Sequence, residues 1–193
     1  MSFGYTVNKE KNGVLLAYLA ERIPNITLRK LLKLVYLTDE KFTIERGFPL
    51  TWFSYFAWKK GPVAPEVYDV KNGSFSEYVQ CHRNNEDKCE VSPVSGILTQ
   101  DKLNLYSQYE MDMIDQIIST YGSMSADELT DFTHLDDTLW SKVVNENNLT
   151  FSDSGRSDCE IHLIRLIEGD EEKEEVFEDA LEYMQFCNAT SVC

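Results

Sequence analysis

The run from Tyr55 to Asp69 reads YFAWKKGPVAPEVYD. A Gly-Pro pair and a second proline stand close together in it, and this constrains the chain more than any other stretch. Proline lacks a backbone donor and fixes φ, and glycine readily adopts positive φ. Neither an uninterrupted helix nor a central strand can pass through, so the chain must turn here. Upstream, the aromatic-rich segment from Leu50 to Trp58, bounded by Pro49, predicts a strand. Gly61 gives the backbone its freedom and Pro62 fixes the exit. Pro65 and Glu66 suit the first turn of a short helix that ends near Asn72-Gly73. A catalytic loop, a phosphate cradle and a packed structural corner would share this composition.

Elsewhere the helical period dominates. Val14, Leu15, Tyr18 and Leu19 predict a first helix over about Lys9 to Arg22, broken by Pro24-Asn25. Thr27 is a good N-cap for a second, in which Leu28, Leu31, Leu32 and Val35 form the inner stripe and Gly47 ends it. Segments 76–80 and 89–91 read as strands joined by the polar turn 83–87. Thr99 caps what reads as one long helix reaching Tyr121-Gly122. Ser125-Ala126-Asp127-Glu128 is a capping box, opening a helix that stops near His134, and another helix covers about Leu139 to Asn145. Ile161 to Leu166 reads as a strand or a buried connector. An acidic helix follows, with Val176, Phe177, Ala180, Leu181 and Met184 as its inner stripe. The sum is α+β and predominantly α-helical, a single compact helical domain with a small inserted β-sheet.

The chain's 193 residues, 42% of them apolar, are enough for one well-buried core. The N-terminus has no apolar run of signal-peptide length and no stretch approaches a membrane span, which predicts a cytoplasmic protein with no membrane partner. The five cysteines, an odd count, predict reduced thiols. Net charge is −15, which excludes free nucleic acid as an expected partner. Nine acids against Lys173 alone, between Glu168 and Glu182, carry −8 of it. A solvated helix face is the ordinary explanation. The sharper one is a docking surface for a basic protein, or a mimic of nucleic acid that occupies such a protein's site, with Glu171, Glu172, Glu174, Glu175 and Glu178 as candidate contacts.

No catalytic pattern emerges. The glycines match no phosphate-binding spacing, and no Gly-x-Ser-x-Gly occurs. Cys81-His82 with Cys89, and Cys159-x-x-His162, fit no common zinc module, so no metal and no cofactor is expected. Asp39-Glu40 and Asp136-Asp137 are adjacent pairs, which do not face each other on a helix and read as surface or helix-end charge. The Tyr55–Asp69 run therefore reads as architecture.

Three blocks resemble one family. Lys33-Leu34-Val35-Tyr36-Leu37-Thr38-Asp39 resembles its helix signature. Phe56 to Tyr68 resembles its hallmark, an aromatic-Ala-Trp, then Gly-Pro-Val, then Val-Tyr. Tyr121 to His134, followed by Trp140, resembles its third block. The family is the Panacea domain, also called the antitoxin SocA-like domain, and the blocks span roughly Leu31 to Trp140. Two features depart from it: no proline stands between His134 and Trp140, and the acidic C-terminal extension has no counterpart.

The resemblance implies a mostly helical fold and a cytoplasmic bacterial, phage or prophage-associated protein. It implies an antitoxin that neutralises a cognate toxin by direct binding, or a proteolytic adaptor that delivers the toxin to an ATP-dependent protease. It marks Lys33, Tyr36, Asp39, Trp58, Gly61, Pro62, Val63, Tyr68, His134 and Trp140 as residues of the fold or of a partner interface. A hydrolase centred on His134 with Asp136 or Asp137 is the weaker alternative. The expected division is a domain over 1–167 and an acidic helix and tail over 168–193, packed on the domain or extending from it. The end of that tail, through Cys193, is a candidate contact or degradation signal.

Overall fold

The computed structural model describes residues 7–190, with side chains through residue 187; Cys193 and the end of the candidate tail signal lie outside the described residues. The centre of the fold is helix α2 (Leu28–Arg46), capped by the Thr27 hydroxyl and ended by Gly47 at φ 83°. It packs against α1 (Lys9–Arg22), α5 (Gln108–Tyr121), α6 (Ala126–Thr133) and strand β2 (Gly61–Val63). Its apolar stripe Leu28, Leu31, Leu32 and Val35 is buried, as the helical spacing predicts. So are polar residues that spacing alone would leave outside: Lys33, Thr38, Asp39 and Thr43. The two threonines return their hydroxyl protons to the carbonyls of Leu34 and Asp39, a turn back.

Strand β1 (Tyr55–Trp58) is the middle of a three-stranded antiparallel sheet in the order β2-β1-β5, with β5 at Glu160–Ile161. The register sets Trp58 opposite Gly61 and Phe56 opposite Val63, so Lys59-Lys60 form the turn and Gly61-Pro62 already belong to β2. Pro62 is tolerated because β2 is an edge strand. Helix α3 (Pro65–Tyr68) follows and relaxes into a 3-10 turn over Asp69–Asn72. A separate hairpin joins β3 (Val79–Arg83) to β4 (Cys89–Pro93) and packs on α1. Cys81 and Cys89 are bonded across it, their Cα atoms 6.0 Å apart, so the expectation of reduced thiols fails for this pair.

Two expected elements are corrected. The long helix from Thr99 is two helices, α4 (Gln100–Leu103) and α5, because Ser107 and Glu110 form a capping box that starts α5 afresh. The strand expected from Leu50 begins only at Tyr55. The intervening backbone is claimed by side chains: Asn12 donates to the Thr51 carbonyl at 2.9 Å, and the Thr51 N–H donates to Asp39 at 2.8 Å. Trp52 sits at φ 59°, so the segment cannot run as a ladder. Helices α6, α7 (Leu139–Glu146) and α8 (Glu171–Thr190) complete the chain. Among the described residues, no helix is long and apolar enough to cross a membrane.

Asp39 is fully buried, not a surface charge as its place in an acidic pair implied. Its carboxylate accepts from the Thr51 N–H, the Thr51 hydroxyl and the Tyr55 hydroxyl, the last at 2.7 Å. Burial nevertheless outweighs these donors and raises its pKa to about 6. Removing the carboxylate leaves those donors buried and unpaired. Asp39→Ala should therefore lower the unfolding free energy by roughly 3 kcal/mol, read by urea denaturation. A loss below about 1 kcal/mol would show that the segment 47–54 is held by other means.

Candidate functional site

The three blocks that carry the family resemblance meet around one buried amine. Lys33 points from α2 beneath the β1–β2 hairpin and is 1% exposed. Gly61 lies directly over it: a Cβ at Gly61 would fall 1.8 Å from the Lys33 Nζ and 2.9 Å from the Thr133 hydroxyl. With φ at 103°, position 61 is closed to other residues on two independent grounds. His134 ends α6 beside this amine and stacks on Trp140, ring centroids 3.7 Å apart and planes 8° apart. Phe151 continues the stack on Trp140 at 6.1 Å. The Trp140 indole N–H donates to the Trp58 carbonyl at 2.8 Å, and the Ser141 hydroxyl donates to the His134 carbonyl at 2.9 Å. Trp58 in turn meets Tyr68 edge-on at 4.9 Å. Arg156 lies over the Trp58 ring at 4.9 Å, and Lys71 over the Tyr68 ring at 3.7 Å.

Lys33, Trp58, Gly61, Pro62, Val63, Tyr68, His134 and Trp140 therefore form one packed region. Tyr36 and Asp39 belong to a neighbouring one, where the Tyr36 and Tyr55 rings meet edge-on at 5.2 Å. The acids of α8 lie apart from both. Glu171, Glu172, Glu175 and Glu178 are exposed, while Glu174 is half-buried and accepts from the Gly169 N–H at 2.8 Å. The inner stripe of α8 is only half-covered, and Val176 is exposed. The helix is held at one end by Phe177 against Trp52, centroids 5.4 Å apart.

The electrostatics of the packed region are unusual. Among the described residues, the Lys33 Nζ and the His134 Nε2 are buried without a hydrogen-bond partner. Burial lowers the Lys33 pKa to about 7, with Arg29 adding a repulsive charge. Burial likewise lowers His134 to about 4, and Lys33 contributes further. The arrangement favours neutral nitrogens in an apolar stack. Among the described residues it does not build a nucleophile, base and orienter: neither Asp136 nor Asp137 hydrogen-bonds to His134, and no described hydroxyl or thiol donates to its ring. Cys81 and Cys89 are bonded to each other, which removes them from the soft-ligand set weighed above.

The family model for the antitoxin SocA-like, Panacea domain matches residues 31–141, more than half of the chain. The chain belongs to this family. A curated relative is Antitoxin SocA of Caulobacter vibrioides (strain NA1000 / CB15N), 28% identical over 123 residues. The alignment covers 64% of this chain and 61% of the relative, so it spans about three fifths of that protein's length. No solved structure matches. The matched interval of the Panacea domain runs from α2 to α7 and contains the motif residues of both packed regions, whereas Phe151, Arg156 and α8 lie beyond it.

Sequence reasoning missed Thr51 and Tyr55 as the donors to Asp39, and it missed Phe151 and Arg156. The last two sit in irregular segments with no periodicity, and only the fold brings them to Trp140 and Trp58.

Two measurements check the electrostatics. The unfolded chain keeps the Lys33 proton to about 10.5 and the folded chain releases it near 7, so this residue adds stability as pH rises through that window. Lys33→Met should be more stable than the wild type at pH 6 by about 1–3 kcal/mol, with the gap narrowing toward pH 10. A wild type that is the more stable at both pH values would mean the amine has a partner. The His134 imidazole should stay neutral on acidification until near its pKa of about 4, followed by its ring carbon resonances. Titration at the ordinary histidine value would contradict the buried stack.

Proposed function

We propose that this chain is a non-enzymatic antitoxin that neutralises a toxin protein by covering its active surface. Membership of the antitoxin SocA-like family carries the reading, supported by the likeness to Antitoxin SocA. The geometry agrees with it. The residues that identify the Panacea domain are engaged in packing, and His134 lacks the partners that hydrolysis requires. The chain's excess negative charge offers complementarity to a basic toxin, and α8 carries exposed acids beside the exposed rings of Tyr183 and Phe186. We place the division between the family domain and the acidic extension after residue 167. The extension is the part that adapts the domain to its own toxin.

The test is purification of the tagged chain from its native cell, followed by co-expression with whatever small protein accompanies it. A protein that is toxic alone and harmless with this chain establishes the antitoxin. Disappearance of that protein only in protease-competent cells would replace occlusion by delivery to an ATP-dependent protease. For occlusion, the affinity of the pair should fall several-fold as ionic strength rises from about 0.05 to about 0.5 M. A salt-independent affinity removes the electrostatic part of the proposal.

A further inference from the structure

Helices α2 and α5 pack together, and Tyr109 of α5 reaches Glu45 near the end of α2. They leave a groove of about 290 Å³ walled by Leu37, Ile44, Ile117 and Tyr121. Ile44 is 45% exposed, a high value for an isoleucine at the rim of a core helix. Glu40 lies in this groove. Its carboxylate has only a long hydrogen bond, 3.4 Å from the Tyr36 hydroxyl, and among the described residues it makes no ion pair. Among the described residues the cation lining the groove is Lys41, and it is already paired with Glu45, which also accepts from the Tyr109 hydroxyl at 3.2 Å. The other charge that bears on Glu40 is Asp137, from the segment between α6 and α7, and it has the same sign. From α5, the Tyr121 phenol is the titratable neighbour.

A groove with Leu37, Ile44 and Ile117 among its walls, Glu40 without an ion pair inside it and Asp137 nearby has a defined complement. A long aliphatic stem fits the Leu37, Ile44 and Ile117 walls, and a cationic head fits Glu40. Tyr121 also lines the groove, its ring tilted against Phe132 at 5.4 Å. A guanidinium can serve two carboxylates through its forked donors, which an ammonium does less well. We propose that this groove receives an arginine side chain presented by a partner protein. As a surface for the toxin, it rests on the antitoxin reading; as a binding site it does not.

The site carries its own signature. Burial raises the Glu40 pKa to about 7, with Asp137 adding to the rise. A cation that enters must draw the proton off, so binding releases a proton near neutrality and strengthens as pH rises through 7. An opposite charge within ion-pair distance lowers a carboxyl pKa by roughly 1–3 units, and a shift of about one unit corresponds to a tenfold change in affinity across the titration.

The experiment titrates the full chain with N-acetyl-arginine amide, following the Ile44 and Ile117 methyl resonances and the Glu40 carboxyl carbon. The neutral isostere N-acetyl-citrulline amide is the control. Saturable methyl shifts are expected with the arginine probe alone, with affinity rising about tenfold as pH goes from below to above 7. Glu40→Gln, which keeps an acceptor for Tyr36, should abolish the pH dependence and weaken binding about tenfold or more. Ile44→Ala, at an exposed position, should weaken binding and preserve the pH dependence. Equal binding of the citrulline probe, an unchanged titration in Glu40→Gln, or the absence of saturable shifts overturns the site. Failure of the chain to neutralise any toxin would overturn the antitoxin reading and leave the probe titration standing.

Discussion

The carboxylate of Asp39 has no access to water, and most of the domain's irregular architecture follows from that. A buried carboxylate is tolerable only when donors converge on it. Here they come from Thr51 and Tyr55, so the chain after α2 must fold back along the helix and not leave it as a strand. That return sets where β1 begins, since Tyr55 is both a donor to Asp39 and the first residue of the strand. The start of β1 fixes its hairpin, which places Gly61 over Lys33. One buried acid thus dictates the path that buries one amine, six residues earlier on the same helix.

Much of this was legible in the sequence, and the boundary between what was and was not is physical. The caps at Thr27 and Ser125, the glycine that ends α2 and the proline that opens α3 act within one turn of chain, and each appears where the residues predict. The predominantly helical α+β class and the family followed from the same local signals. What failed depended on distant partners. The aromatic run after Pro49 has the composition of a strand throughout, but Asn12 and Asp39 take its backbone groups away from any ladder. The break between α4 and α5 had a local signal, the Ser107–Glu110 box, which lay hidden under an otherwise continuous helical period. The Cys81–Cys89 bond depends on strand register, which one residue of slip would destroy.

The candidate site shows the same division. The motif residues were identifiable one by one, but not as the members of two packed regions. Lysine, histidine and aspartate in a family signature invite a chemical reading, and each here is buried in a way that works against one. His134 is stacked and deprived of an orienting acid, Lys33 lies beneath a glycine, and Asp39 is saturated with donors. On the antitoxin reading the signature preserves a scaffold, and the choice of toxin has to be made by side chains outside it. Glu40 adjoins the helix signature and was visible only as half of an acidic pair. Its groove needs α5 to exist at all.

The acidic helix raises the question of why such a segment should be helical. Glu171, Glu172 and Glu174 in the first turn are favoured by the helix dipole. The later acids are not. Glu171 and Glu175, Glu174 and Glu178, Glu175 and Asp179, and Glu178 and Glu182 stand four residues apart, where like charges destabilise a helix by about 0.2–0.5 kcal/mol each. Packing of Phe177 on Trp52 offsets part of this, but no side chain of α8 through residue 187 is fully buried. The segment therefore folds against its own repulsion. A basic surface laid along it would remove that repulsion and gain the Coulomb attraction at once, so the free energy of holding the charges together would be recovered on binding. An acidic helix that serves only solubility has no such term.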